Sequence, residues 1–211
     1  WMFAGLAVAL FGALFATGGA GAFDFWWWMA SNAAVLTALS FILDRGYGPA
    51  LRADLRTGLA GKLAWGLASA AALYGVFWLG DHLSRAWFGA WAGDGIRRVY
   101  DFKHGAGLPR IVLLLGLLIG PAEEIFWRGF LQRRFAERYG RWAAFAIAAA
   151  LYSGAHLASG NAMLVAAAAV CGVAWGLIYL ARGSVVLNVI SHTAWDLAVF
   201  VVFPLGPGAG S

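Results

Sequence analysis

Glu123 and Glu124 stand side by side in Pro121-Ala122-Glu123-Glu124-Ile125-Phe126-Trp127-Arg128-Gly129. The stretch continues the apolar run from Ile111 to Ile119 with no turn signal between them. Two carboxylates and a guanidinium therefore fall where lipid-facing residues would be apolar. An ionisable group at bilayer depth costs ~3 kcal/mol or more, so it marks a functional site by default. On a helix, Glu124 and Arg128 share a face four residues apart, in the better order for an ion pair. Glu123 is turned about 100° away and is left free for chemistry. A buried ion pair that pins helix packing accounts for Glu124 and Arg128, but not for a second carboxylate beside them.

Two other apolar runs carry polar groups. One holds His156, in Leu151-Tyr152-Ser153-Gly154-Ala155-His156; the other holds His192 and Asp196, in Asn188-Val189-Ile190-Ser191-His192-Thr193-Ala194-Trp195-Asp196. The i, i+4 spacing puts His192 and Asp196 on one helix face. At ~1.5 Å per residue, Glu123 lies roughly 12 Å from one end of its span, His192 roughly 11 Å from that side and His156 about 20 Å. Tilt blurs such depths by several Å, so the groups can meet in one cavity near mid-membrane. A lone membrane histidine reads as an interhelical hydrogen-bonder. Three spans with Glu-Glu, His and His-x-x-x-Asp at compatible depths read as a site. Carboxylate with imidazole is what hydrolysis needs: a general base, a polarising partner and stabilisation of an oxyanion. His82 and His104 fall in a polar connection and take no role.

The elements that must position these groups follow from composition. With 62% hydrophobic and 12% charged residues over 211 positions, the chain reads as a polytopic helical membrane protein, all-α, in one domain. The apolar runs do not alternate in polarity, which excludes a barrel. Seven spans are expected, at about 2–22, 25–43, 61–80, 111–131, 143–158, 162–181 and 185–203. A net charge of +5 reads as Lys and Arg gathered in cytoplasmic loops rather than as a nucleic-acid footprint. Arg45, Arg52, Arg56, Lys62, Arg133, Arg134, Arg138, Arg141 and Arg182 fall on one side, which the positive-inside rule makes cytoplasmic together with the N-terminus. In the 81–110 connection, Leu83, Trp87 and Trp91 recur every four residues and predict a short amphipathic helix on the membrane surface. Gating of substrate access is the sharper reading of that helix.

Smaller signals complete the frame. Gly18-Gly19-Ala20-Gly21 with Asp24 predicts a short turn, and Trp26, Trp27 and Trp28 read as interfacial anchors. Gly116/Gly120 and Gly172/Gly176 are Gly-x-x-x-Gly pairs that suit close helix packing. Cys171, the one cysteine, excludes a disulfide framework and reads as a small core residue. Residues 206–211 read as a disordered tail. The chain starts at Trp1, so an earlier start is expected, and its first run lacks the basic flank of a cleavable signal.

Taken together, Glu123-Glu124-x-x-x-Arg128, His156 and His192-x-x-x-Asp196 resemble the CPBP family of intramembrane proteases, also called the Abi or type II CAAX prenyl protease family. The resemblance covers roughly residues 108–203; spans over 1–80 match only in being hydrophobic. It implies an endopeptidase acting on a membrane-associated protein or peptide, in a cavity between the fourth, fifth and seventh spans. Glu123 and His156 would activate water, Glu124 and Arg128 support the site, and His192 help to hold the oxyanion. Many members carry Asn where this chain has Asp196. Asp196 therefore carries a proton, or orients His192, or faces a cation, and the last keeps a zinc or other divalent-metal site open on Glu123, His156, His192 and Asp196. A mechanism with no cofactor is the other option. An Ala-, Gly-, Arg- and Trp-rich composition points to a bacterial plasma membrane. The competing class is non-catalytic: an immunity protein that only binds, or a proton or ion relay built from the same charges.

Overall fold

Glycines in left-handed backbone and side-chain caps cut this apolar chain into nine helices among the described residues, which are 1–20 and 23–206 of a computed structural model. α1 (Met2–Thr17) stops at Gly18, whose φ of 68° is a conformation that only glycine adopts without strain. A minimal two-stranded ladder, Gly19–Ala20 against Phe23–Asp24, turns the chain. α2 (Phe25–Leu43) starts under the Asp24 carboxylate, which accepts from the amides of Trp26 and Trp27. Then come α3 (Tyr47–Arg56), α4 (Leu59–Phe88), α5 (Ala90–Tyr100) and α6 (Leu108–Tyr139). α7 (Arg141–Gly154) runs into a 3₁₀ turn at Leu157–Ser159, and α8 (Ala162–Arg182) and α9 (Val185–Val202) follow. Asn161 and Ser184 cap α8 and α9 through their side-chain oxygens.

Among the described residues, five helices are long and apolar enough to cross a membrane: α2, α4, α7 with its terminal turn, α8 and α9. α5, extended to Lys103, and α6 pass the same test as a pair bent by 94°, which makes at most six. The remaining crossing expected from the sequence, α1, has 16 residues and falls below that length.

The bundle closes through small residues. α4 lies on α9 at Gly66, where a Cβ would meet Ile190 Cγ2 at 2.6 Å, and buries Ala70 and Leu73. Ser69 donates to Ser191 across the same contact (2.9 Å). Gly172 and Gly176 let α7 approach α8, and Gly120 faces Thr193 of α9. Gly116 faces open space instead, so the first Gly-x-x-x-Gly pair is not one packing face. The basic residues assigned to one side meet at one end of the bundle. There Arg133 pairs with Asp44, Lys62 with Asp54 (2.6 Å), Arg134 donates to the Leu43 carbonyl (3.2 Å), and Arg182 lies over Trp65.

Two other expectations change. Leu83 and Trp87 belong to α4, which runs unbroken to Phe88, and the amphipathic helix of the connection is α5, carrying Trp91. Asp81 and Arg85 do not end α4 because they pair with each other at i, i+4 (2.7 Å). Trp26 is no interfacial anchor: it is 3% exposed and donates to the Phe102 carbonyl at 2.7 Å. Trp27 is exposed, beneath the Arg110 guanidinium. The expectations for Gly21 and for the tail 207–211 lie outside the described residues.

Candidate active site

α6 is not a uniform helix where the glutamates lie. A short α-helical stretch, Gly120–Glu124, is flanked by π-helical stretches at Leu115–Ile119 and Ile125–Gln132. Such widened turns recur at functional sites. Glu124 is fully buried and accepts from three side chains: Arg128 Nη1 at 2.7 Å, Asn188 Nδ2 at 3.0 Å and His192 Nδ1 at 2.8 Å. Arg128, 2% exposed, also lies over the rings of Tyr152 (4.7 Å) and Trp175 (5.5 Å). Two charges so deep hold only as a hydrogen-bonded pair. Glu124 thus fastens α6 to α9.

Glu123 makes none of these contacts. Its Oε2 accepts from the Tyr152 hydroxyl of α7 at 2.9 Å. Four residues later, His156 Nδ1 donates to the Tyr152 carbonyl at 2.9 Å, which leaves Nε2 of a neutral ring as the acceptor. The His156 ring rests against Phe15 of α1, 4.5 Å between centroids. On α9, His192 stacks on Trp175 at 3.6 Å, and its Nε2 lies 3.5 Å from Asp196 Oδ2. Glu123, His156, His192 and Asp196 line one cavity of about 880 Å³. The rest of its wall is largely apolar, with Trp26, Phe77, Trp91, Leu115 and Phe200 among the lining residues. Glu124 and Arg128 do not line it; they stand behind His192.

Three further residues shape this site without having been singled out in the sequence. Tyr152 bridges Glu123 and His156, Asn188 ties Glu124 to the Trp175 carbonyl (2.8 Å), and Trp175 supports the His192 ring. Tyr152 precedes His156 by four residues, and Asn188 precedes His192 by four, so each shares a helix face with a flagged histidine. Trp175 left no such trace. Cys171 is buried and lines the same cavity.

Among the described residues no group of three or more His, Cys, Asp or Glu side chains is placed to hold a metal ion.

Outside the spans, Asp54 of α3 anchors the start of α9. It accepts from Lys62, from the Val186 amide (2.9 Å) and from Ser184 Oγ (2.8 Å). Burial pushes its carboxyl up, but these donors outweigh burial and hold it below the ordinary value of 3.8. α9 thereby enters the bundle at a fixed height, and with it His192 and Asp196.

Among curated proteins and among solved structures, nothing matches the chain. A family model does match, and over the segment just described: residues 106–198, which hold all six residues flagged from the sequence, fit the family described as type II CAAX prenyl endopeptidase Rce1-like.

Proposed function

We propose that this protein is an intramembrane endopeptidase that hydrolyses a peptide bond of a membrane-associated protein or peptide in the cavity between α6, α7 and α9. The family implies CAAX-type intramembrane protease activity and a membrane-associated protein substrate. Apolar helices of spanning length agree with an integral membrane protein. The observation that carries the proposal is the convergence of Glu123, His156, His192 and Asp196, from three helices, on one largely apolar cavity.

In this reading a water molecule lies between Glu123 and His156 and attacks the scissile carbonyl. Glu123 takes the proton of that water and passes it to the departing amine, so the carboxylate is regenerated when the C–N bond breaks. Tyr152 keeps both groups in place through its hydroxyl and its carbonyl. His192, held by the Trp175 ring and by its Nδ1–H bond to Glu124, faces the developing oxyanion as an imidazolium whose Nε2–H is the donor. Arg128 and Asn188 keep Glu124 in position. No step is routed through a metal. The basic end of the bundle and the N-terminus face the cytoplasm of a bacterial cell.

The test is proteolysis by the full-length protein in detergent, on a panel of membrane-associated peptides, with and without chelator. Glu123→Gln should lower turnover by roughly 10²–10⁴-fold, because the base is lost while the shape is kept. Parental turnover should survive the chelator. A purified Glu123→Gln protein that cleaves like the parent would refute the mechanism.

A further inference from the structure

The two sides of α3 meet different surroundings. Tyr47 and Asp54, seven residues apart and so on one side of the helix, turn inward. The Tyr47 hydroxyl donates at 2.9 Å to the carbonyl of Ile125 on α6, the residue after Glu124. Asp54 accepts from Ser184 and from the Val186 amide at the start of α9. One short helix thus holds both elements that carry the glutamates and His192.

The other side is cationic. Arg52 and Arg56 each stand two residues from Asp54, about 160° around the helix, and both are exposed. Arg45, just before the helix, is exposed as well. Among the described residues, none of the three is bonded or paired to another group of the chain. Arg133, Arg134, Arg141 and Arg182, at the same end of the bundle, all have partners. Leu55, 53% exposed, and Leu59, 44% exposed, stand beside the arginines. The height of this face follows from the chain. Only residues 44–46 join α3 to α2, and only 57–58 join it to α4, and both neighbours are of spanning length. α3 therefore lies where two spans leave the hydrocarbon, at the level of the headgroups.

We propose that the outer face of α3 binds the headgroups of anionic phospholipids through Arg45, Arg52 and Arg56. A guanidinium meets a phosphate with two parallel N–H donors, and an anionic leaflet draws such a face to it. The exposed leucines meet the upper acyl chains, as the apolar side of an interfacial helix does. Since the inner face of the same helix holds α6 and α9, bound lipid stabilises the frame of the cavity. Binding there needs no catalysis and stands apart from the endopeptidase reading. Charge that only orients the chain in the membrane would serve from any arginine at this end; a binding face needs those of α3.

The full-length protein is melted in a non-ionic detergent, followed by tryptophan fluorescence, with phosphatidylglycerol, with phosphatidylcholine or with free glycerol 3-phosphate. Phosphatidylglycerol at about ten times its Kd should raise the midpoint by roughly 3–6 °C. Phosphatidylcholine and glycerol 3-phosphate should raise it far less, and high salt should shrink the effect of phosphatidylglycerol. Arg52→Gln with Arg56→Gln should melt like the parent in detergent alone, because neither side chain has a partner to lose. It should forfeit at least half of the phosphatidylglycerol shift. Arg138→Gln with Arg141→Gln, an equal loss of charge elsewhere, should keep that shift. Where the α3 double variant does not fold, the single changes Arg45→Gln, Arg52→Gln and Arg56→Gln decide in its place, each losing part of the shift. Equal shifts from the two lipids, or a shift from glycerol 3-phosphate as large as the lipid's, overturn the proposal. So does a phosphatidylglycerol shift that survives in the α3 variants, or one lost equally from both double variants.

Discussion

Arg128 offers the sharpest test of how the site is held. Replacing it with Met keeps much of the volume between the Tyr152 and Trp175 rings but removes the charge facing Glu124. Glu124 has no exposed surface and cannot turn to water. Breaking such a pair from one side costs ~3–5 kcal/mol. Asn188 and His192 still donate to the stranded carboxylate, which places Arg128→Met near the lower bound, about 3 kcal/mol. Arg128→Ala also empties the space between the two rings, and a void of that size adds ~2 kcal/mol. By the scaling of globular chains of this length, the midpoints should fall by roughly 6–12 °C and 10–20 °C. The double variant Arg128→Met with Glu124→Gln removes both charges and should melt above Arg128→Met alone, since no buried charge is left unpaired. Tryptophan fluorescence during heating, in one detergent for all four proteins, measures this. If Arg128→Met melts with the parent, or the double variant melts lowest, the pair does not hold the site as described.

Two further outcomes are expected away from the cavity. A Cβ at Gly129 would collide with the Tyr47 hydroxyl, which donates to the Ile125 carbonyl; Gly129→Ala should therefore cost ~1–3 kcal/mol. Much of that loss should disappear when the same change is made in a Tyr47→Ala background, which removes the ring carbon that a Cβ would meet at 2.6 Å as well as the hydroxyl, and an equal loss in both backgrounds would disprove the close approach. Asp54 is more acidic in the fold than its ordinary value of 3.8, so its contribution is complete above about pH 4 and is lost as pH falls through the folded value. Asp54→Asn should then lower the midpoint at neutral pH and converge on the parent in strong acid, read from melts across pH 3–7; a constant gap at all pH values would contradict the assignment.

What could be read from the sequence was set by local geometry. Glu124 and Arg128, like His192 and Asp196, are four residues apart within one helix, and a helix leaves little freedom in where such pairs go. The cavity-lining of Glu123 and His156 depended on depth along separate helices, which composition bounds only loosely. Tyr152 and Asn188 act across helices, on groups 29 and 64 residues away in the chain, and pattern alone does not name such partners. The end of α4 was misplaced for a different reason. Asp81 and His82 look like loop residues, yet the Asp81–Arg85 pair keeps the helix going until Gly89 supplies a positive φ of 56°. Trp26 was read as an anchor because indoles favour interfaces, and the Phe102 carbonyl that buries it lies 76 residues away. The π-helical turns of α6 left no sequence signal at all.

Those turns bear on how the chain tolerates changes in length. A π turn holds about one residue more than an α turn. Loss of one residue from 129–132 would let that half of α6 relax to α-helical geometry. Glu123, Glu124 and Arg128 would keep their register, and because the residue lost is the extra one of a wide turn, the segment from Arg133 to Tyr139 would stay near its present orientation with Arg133 beside Asp44. Loss of one residue from 115–119 would absorb the other wide turn in the same way and leave the Leu108 end in place. The glutamates thus sit between two joints, at either of which α6 can shorten by a residue without rewriting the order of the groups that do the chemistry.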